Sequence, residues 1–297
     1  MSEELTETDF QFIRTWLKVH VGQDLGPDKQ YFVKVALSEI MVRYQMSSIH
    51  QTVQRLEALA PASAMFDLQI ANDPASPGKR YVQDVIDALM VGETYFFRRP
   101  STFEDLRLSV LPSLIEKRQL QQRLRIWSAA CSFGQEPYSI VMTLATYFPD
   151  VFRSWDVVIM ASDISHKAIE RAKAGRFTEW ETSRGLEAEV RDRYFTKESD
   201  SWVARDEIRR PIRFCHFNLV GSNTNIPYRP FDLVLLRNVL IYFDIEKKRQ
   251  ILSKIRNDVL DDGFLLLGES ETLLGLDSHF QISSHASALC EPKANPE

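Results

Sequence analysis

Residues 128–139 read SAACSFGQEPYS, and their one acid, Glu136, stands beside a single glycine, Gly134, and a proline, Pro137. The stretch joins a run that reads as a strand to one that reads as a helix. Phosphate-binding turns at such places carry several glycines, so that backbone amides and the helix N-terminus can approach a pyrophosphate. Pro137 fits the first helical position, where its missing N–H costs nothing, which makes Glu136 the expected N-cap. A carboxylate there is favoured by the helix dipole by about 0.3–1 kcal/mol and repels a phosphate. A second acid, Asp163, ends the run VVIMASD (157–163), where nucleotide-type folds accept hydrogen bonds from ribose hydroxyls. For either acid alone, a surface helix cap is the simpler account. Two acids at consecutive strand ends favour a ligand with a ribose and a positive charge but no phosphate.

Two further runs end in polar residues. Asn218 lies in IRFCHFNL (212–219), and Arg237 with Asn238 closes FDLVLLRN (231–238). A buried strand would not tolerate that Arg-Asn pair unpartnered, so it faces either a ligand or a satisfied turn network. Upstream, GETYFFRRP (92–100) puts Thr94, Phe96, Phe97 and Arg98 in one loop. Aromatic rings there can close over a flat ring while a guanidinium grips a carboxylate, although aromatic loops also serve plain packing. S-adenosylmethionine is a ligand with a ribose, a cationic sulfonium and no phosphate. The missing glycines disfavour a dinucleotide. The six histidines show no ligand spacing, so no metal site is expected. Cys131 reads as a packing residue; GESE (268–271) ends a strand near the expected crevice, which a solvated turn explains equally well.

Strands must deliver these side chains to one edge. LRIWSAA (124–130), VVIMASD, IRFCHFNL, FDLVLLRN and GFLLLGES (263–270) are dense in Val, Ile, Leu and Phe, which suits strands covered on both faces. Helical patterns lie between several of them: Ile140, Val141, Leu144 and Phe148 share a face, as do Ile251, Leu252, Ile255 and Val259. Ser165 can cap HKAIERAKA, with Gly175 past its end. Alternating strands and helices imply an α/β fold with a doubly wound, mostly parallel sheet. FQISSHASALCE (280–291) can add an edge strand or hairpin.

Before the polar loop NDPASPGKR (72–80) the apolar spacing is helical throughout. Phe10, Ile13, Trp16 and Leu17 form one stripe; Phe32, Val35, Ala36, Ile40 and Val42 a second; Ile49, Val53 and Leu56 a third. The expected domains are a helical unit over 1–78, a structural cap or a partner-binding module, and an α/β unit over 79–297. With 297 residues, 44% of them hydrophobic, the chain can bury a large core. A formal net charge of -5 gives no bulk reason to expect nucleic acid or an anionic membrane as partner. Three cysteines without a CxxC pair fit a reduced cytoplasmic compartment. The opening MSEELTETDF does not read as a signal peptide, and no apolar run approaches the ~18 residues of a membrane span.

Together, TYFFR, WSAACSFGQEPYSIVMTL, ASDIS followed by KAxxGRF, FNL and FDLVLLRNVLIYFD resemble, in order and spacing, the CheR-type chemotaxis receptor methyltransferases. The resemblance covers about the whole chain. It implies a class I, Rossmann-like methyltransferase domain, a small helical N-terminal domain and a small β insertion, placed here at 193–214. It implies S-adenosylmethionine as cofactor and glutamate side chains on the cytoplasmic helices of a transmembrane chemoreceptor as substrate. Carried over by motif, the cofactor contacts are Thr94, Arg98, Glu136, Asp163, Asn218, Leu219, Arg237 and Asn238. Tyr242 corresponds to a tyrosine near the transferred methyl. Arg98 is expected to orient the substrate carboxylate and Tyr242 to help place it.

The chain departs from the family pattern in three places. Gly92 stands where members often have an asparagine that contacts the cofactor. The segment 193–214 is a few residues shorter than in members that dock a receptor's C-terminal pentapeptide, which leaves that tether open. The helix expected over 28–45 carries Lys29, Lys34 and Arg43 but also Asp28 and Glu39, so the basic face of relatives is thinner. Two other functions stand beside the leading one: a methyltransferase of the same fold acting on another protein or a small molecule, and a silent sensor of S-adenosylmethionine. The enzyme is expected to be a monomer.

Overall fold

The computed structural model describes residues 4–63, 76–221, 225–276, 279–283 and 288–293. Helices α1 (Glu7–His20), α2 (Gln30–Arg43), α3 (Ile49–Leu59) and α4 (Pro77–Leu89) form the N-terminal unit. Polar caps start two of them: the side chains of Thr6 and Ser48 accept the N–H groups of Asp9 and Gln51. Phe10, Ile13, Trp16 and Leu17 of α1 meet Ile49, Val53 and Leu56 of α3 in one core. Trp16 satisfies its indole by donating to the Ala60 carbonyl at 2.8 Å.

Two expectations change here. On α2 the buried face is Val33, Ala36, Leu37, Ile40 and Met41, while Val35 and Val42 are 52% and 61% exposed. The i, i+3, i+4, i+7 rhythm runs through Val33 and Leu37 rather than through the two outer valines. The helical core also passes the boundary expected at 78. Pro77 occupies the first turn of α4, and Tyr81, Val82, Val85, Ile86 and Leu89 bury into the same core. A proline that could have marked a linker instead starts a helix. Residues 72–75 of the expected loop lie outside the described residues.

A helical stretch, α5 (Pro100–Asp105), a π-turn (Leu106–Val110) and α6 (Leu111–Lys117), leads into the α/β unit. There follow β1 (Arg123–Ala129), α7 (Gln135–Tyr147), α8 (Pro149–Ser154), β2 (Asp156–Asp163) and α9 (His166–Ala174). Next come β3 (Arg176–Thr178), α10 (Glu179–Ser183), α11 (Ala188–Tyr194), β4 (Phe195–Glu198), β5 (Ser201–Ala204) and α12 (Asp206–Arg209). The chain closes with β6 (Ile212–His216), β7 (Phe231–Leu236), α13 (Ile245–Asp258), β8 (Val259–Leu267), β9 (Phe280–Ile282) and β10 (Leu289–Pro292). The main sheet has the order β6-β2-β1-β7-β8-β10-β9. Its first five strands pair in parallel, and β10 and β9 add an antiparallel edge.

Side chains alternate across this sheet because a strand has a period of two. Ile126, Ile159, Leu233 and Leu266 enter the core on one face, with Tyr138, Val141 and Leu144 of α7. Trp127, Met160, Val234 and Leu265 enter the other, with Ile251, Leu252 and Ile255 of α13. A second, antiparallel sheet has the order β3-β5-β4. It corrects the extent of the β insertion: 193–214 supplies β4 and β5, but the third strand is Arg176–Thr178, and Ile212 already pairs with Ile159 in the main sheet.

Candidate functional site

At the carboxyl ends of β1, β2, β6 and β7 lies a cavity of about 360 Å³, a size within the usual range for small-molecule sites. Thr94, Arg98, Glu136 and Asp163 line it, as do Asn218, Leu219, Arg237, Asn238 and Tyr242. The structure thus gathers these nine residues around one opening, whereas Phe96 and Phe97 of the same upstream loop do not line it and pack into or against the hydrophobic core instead.

The turn after β1 sets the geometry. Ala130, Ser132 and Gly134 have φ of 63°, 50° and 96°, a left-handed path that only glycine takes without strain. Gly134 is needed for a second reason: a Cβ there would lie 2.9 Å from the Cβ of Ala172 on α9. Phe97, Arg99 and Asn238 also have positive φ, at 49°, 64° and 59°. Strain therefore gathers in the three loops that frame the cavity, as is common at functional sites.

The expected cap is corrected. Helix α7 begins at Gln135 with Gly134 as N-cap, so Glu136 lies inside the first turn and Pro137 one residue later, where a missing N–H is still harmless. Glu136 is not a bare charge. Ser128 Oγ donates to its Oε1 at 2.7 Å and Arg237 Nη1 to its Oε2 at 2.8 Å. Arg237, with a side chain 2% exposed, also donates from Nη2 to the Arg98 carbonyl at 2.7 Å. Arg237 thereby joins the first strand turn to the TYFFR loop, with its two Nη groups engaged.

Asp163 accepts the N–H of Ser132 at 2.8 Å on Oδ2 and that of Ser165 at 2.9 Å on Oδ1. Burial pushes its pKa above the ordinary aspartate value. Asn218 donates from Nδ2 to the His20 carbonyl at 2.9 Å and accepts the Val220 N–H at 3.1 Å. Its amide ties the helical unit to the sheet, while its own carbonyl accepts the Gly221 N–H at 3.1 Å and that of Leu219 lies 3.4 Å from Lys254 Nζ. Arg98 is half-buried and donates to the Glu93 carbonyl at 2.7 Å, its guanidinium 5.7 Å from the Tyr95 ring centre. Tyr242, also half-buried, sits on a single 3-10 turn, Leu240–Tyr242.

Gly92 explains itself. A Cβ there would come within 2.7 Å of the Phe133 ring, and Phe133 in turn carries the Arg171 guanidinium 4.5 Å from its centre. The aromatic ring fills the space where a side chain at 92 would stand.

Two acids have structural roles that the sequence reading did not assign. Glu271, placed in a solvated turn, accepts the N–H groups of Val239 and Leu240 on Oε1 at 2.9 and 2.7 Å, and those of Asn238 and Gly268 on Oε2 at 2.8 and 2.7 Å. It shapes the loop after β7. Asp87 on α4 accepts the N–H of His166 at 2.9 Å and of Lys167 at 3.0 Å, capping α9, and Gln83 beside it donates to the Ile164 carbonyl at 3.0 Å. The signal for Glu271 was its place at a strand's carboxyl end; Asp87 had none.

The residues fit a nucleoside that carries positive charge and hydrogen-bonding groups. Ser132 Oγ, Arg237 Nε and Gln23 Oε1 are buried without hydrogen-bond partners, and all three residues line the cavity. Among the described residues no group of His, Cys, Asp or Glu could hold a metal ion. No described helix is long and apolar enough to cross a membrane.

Residues 92–289 match the family described as CheR methyltransferase, SAM binding domain. The chain is 37% identical over 282 residues to chemotaxis protein methyltransferase 1 of Pseudomonas aeruginosa, covering 92% of this chain and 93% of that one. It is 35% identical over 277 residues to a chemotaxis protein methyltransferase of Pseudomonas putida, covering 92% and 94%. It is 37% identical over 202 residues to the probable biofilm formation methyltransferase WspC of Pseudomonas aeruginosa, covering 67% of this chain and 46% of that one.

Proposed function

Because the chain belongs to the CheR methyltransferase family, with S-adenosylmethionine as cofactor, we propose that it esterifies glutamate side chains on cytoplasmic helices of a chemoreceptor. The observation that supports this reading most is the convergence of TYFFR, the β1 turn, ASDIS, FNL and the RNVLIYF loop on one cavity.

S-adenosylmethionine supplies a methyl group made electrophilic by its sulfonium. A glutamate carboxylate, with a pKa near ~4.3, is already the nucleophile at neutral pH, so the site needs no general base. What remains is alignment, an effect that can lower a barrier by about 7–11 kcal/mol. In this reading Asp163 takes the ribose, and the backbone at Asn218 and Leu219 takes the base. Thr94, Glu136, Arg237 and Asn238 frame the remainder. Arg98 is free on one side of its guanidinium fork to orient the incoming carboxylate, and Tyr242 helps place it. Excluding water favours the step, because an anion and a cation neutralise each other as it proceeds. The enzyme works in the cytoplasm as a monomer, with the helical unit beside the substrate; the pentapeptide tether stays open.

Incubation with methyl-labelled cofactor and receptor-containing membranes tests the reading. Base-labile label on a receptor band supports it, and label that resists base or sits on other proteins refutes it. The likeness to a biofilm-formation methyltransferase favours a second reading, the same ester chemistry on the receptor of another signalling system. Membranes prepared with one receptor at a time separate the two.

A further inference from the structure

One wall of the cavity belongs to the helical unit. After α1 the chain turns at Gly22, whose φ is 80° and whose Cβ, if present, would press within 3.0 Å of Val220. Gln23 then forms an antiparallel bridge with Phe243, and the Asp24 N–H donates to the Tyr242 carbonyl at 3.0 Å. Lys18 reaches Asp244 at 3.2 Å. The segment is thus stitched to the loop that carries Tyr242.

Gln23 is 6% exposed and lines the cavity, yet its Oε1 has no hydrogen-bond partner. Nothing in the local fold demands an amide here, since neighbours of the same segment, Val21 and Leu25, are apolar and buried. A buried carbonyl oxygen left unpaired is rare in native proteins and calls for a partner absent from the chain itself. The cofactor brings suitable donors: an aromatic amine, ribose hydroxyls and an aliphatic amine.

We propose that Gln23 is a cofactor-binding residue contributed by the helical unit, its side-chain oxygen accepting a hydrogen bond from an N–H or O–H of S-adenosylmethionine or its demethylated product. The helical unit is then a component of the donor site, and the catalytic domain alone has an incomplete pocket.

Calorimetric titration of the full chain with S-adenosylhomocysteine tests this. Gln23→Leu keeps the volume and removes the amide. Affinity is expected to fall about fivefold to tenfold, the loss of one neutral hydrogen bond, while the melting temperature of the free protein holds or rises because an orphaned polar group has gone. Gln23→Met, unbranched and flexible, provides the same reading should the leucine variant not fold. Lys18→Ala loosens the docked segment without touching the cavity and is expected to leave affinity within about twofold. Unchanged affinity in the leucine or methionine variant overturns the assignment. So does an equal loss in Lys18→Ala, which would trace the effect to docking. The inference rests on the cavity holding S-adenosylmethionine. A wild-type chain that does not bind the product refutes that reading itself, whereas normal wild-type binding with an unaffected variant refutes only the role of Gln23.

Discussion

Glu271→Gln should loosen the loop after β7 without altering its packing volume. The carboxylate takes four N–H groups, two on each oxygen, at 2.7–2.9 Å. Glutamine retains one oxygen, now neutral, and turns an NH2 toward the other pair of N–H groups, since an amide cannot accept on both sides. A hydrogen bond to a charged group contributes roughly 1.5–3 kcal/mol. Glu271 is only half-buried, so water replaces part of what is lost, and the net cost is about 2–4 kcal/mol rather than the full value of two such bonds. For a domain of this size that corresponds to a fall in Tm of about 4–8 °C. Asn238 sits in that loop with φ of 59° and lines the cavity, so affinity for S-adenosylhomocysteine should drop with it, several-fold by calorimetry. Differential scanning calorimetry and a binding titration on the same preparation decide the matter. A glutamine variant that melts within about 1 °C of wild type and binds equally well refutes the claim that this carboxylate organises the loop.

Arg98→Ala should reduce methyl transfer about 100-fold, as expected when a charge-orienting group is lost, while circular dichroism shows a folded chain; an unchanged turnover number would remove Arg98 from the mechanism. Asp163 has its pKa raised by burial, and it is the ionised form that accepts hydrogen bonds most strongly. Cofactor affinity should therefore be full above that raised pKa and decline as pH falls through it, beginning above the ordinary aspartate value of about 3.9; titrations across pH should show this in wild type and a flat, weak profile in Asp163→Asn. Gly92→Asn should weaken S-adenosylhomocysteine about tenfold by driving Phe133 aside, a steric cost of the size seen on overpacking. Adding Phe133→Ala should recover most of that loss, and if the double variant binds no better than the single one, the two positions do not share space as described.

The strands of the main sheet were legible because burial on both faces leaves uninterrupted apolar runs such as LVLL (233–236), and a polar residue that ends such a run marks the ligand edge. What stayed hidden depends on distance along the chain. Arg237 and Glu136 are 101 residues apart, so neither side chain alone announces an ion pair, and Glu136 read as a bare negative charge. The strand Arg176–Thr178 is too short to show alternation, and it is recognisable only once Ser201–Ala204 pairs with it. Pro77 carried an ambiguous signal, since proline both breaks chains and starts helices, and the hydrophobic partners that decided for a helix lie on α1 to α3. Glu271 looked like solvent-facing turn chemistry because its four partners are backbone groups, which leave no trace in residue types.

Modules joined by a linker usually drift relative to one another. Here the last turn of α4 carries Asp87, and that carboxylate holds the first two N–H groups of α9, the helix that begins shortly after Asp163. Any swing of the front module would have to uncap α9 and take their partner from the N–H groups of His166 and Lys167, on the side of the cleft lined by Asp163. The front module and the Asp163 side of the mouth are consequently coupled through a single carboxylate, so that loosening one loosens the other.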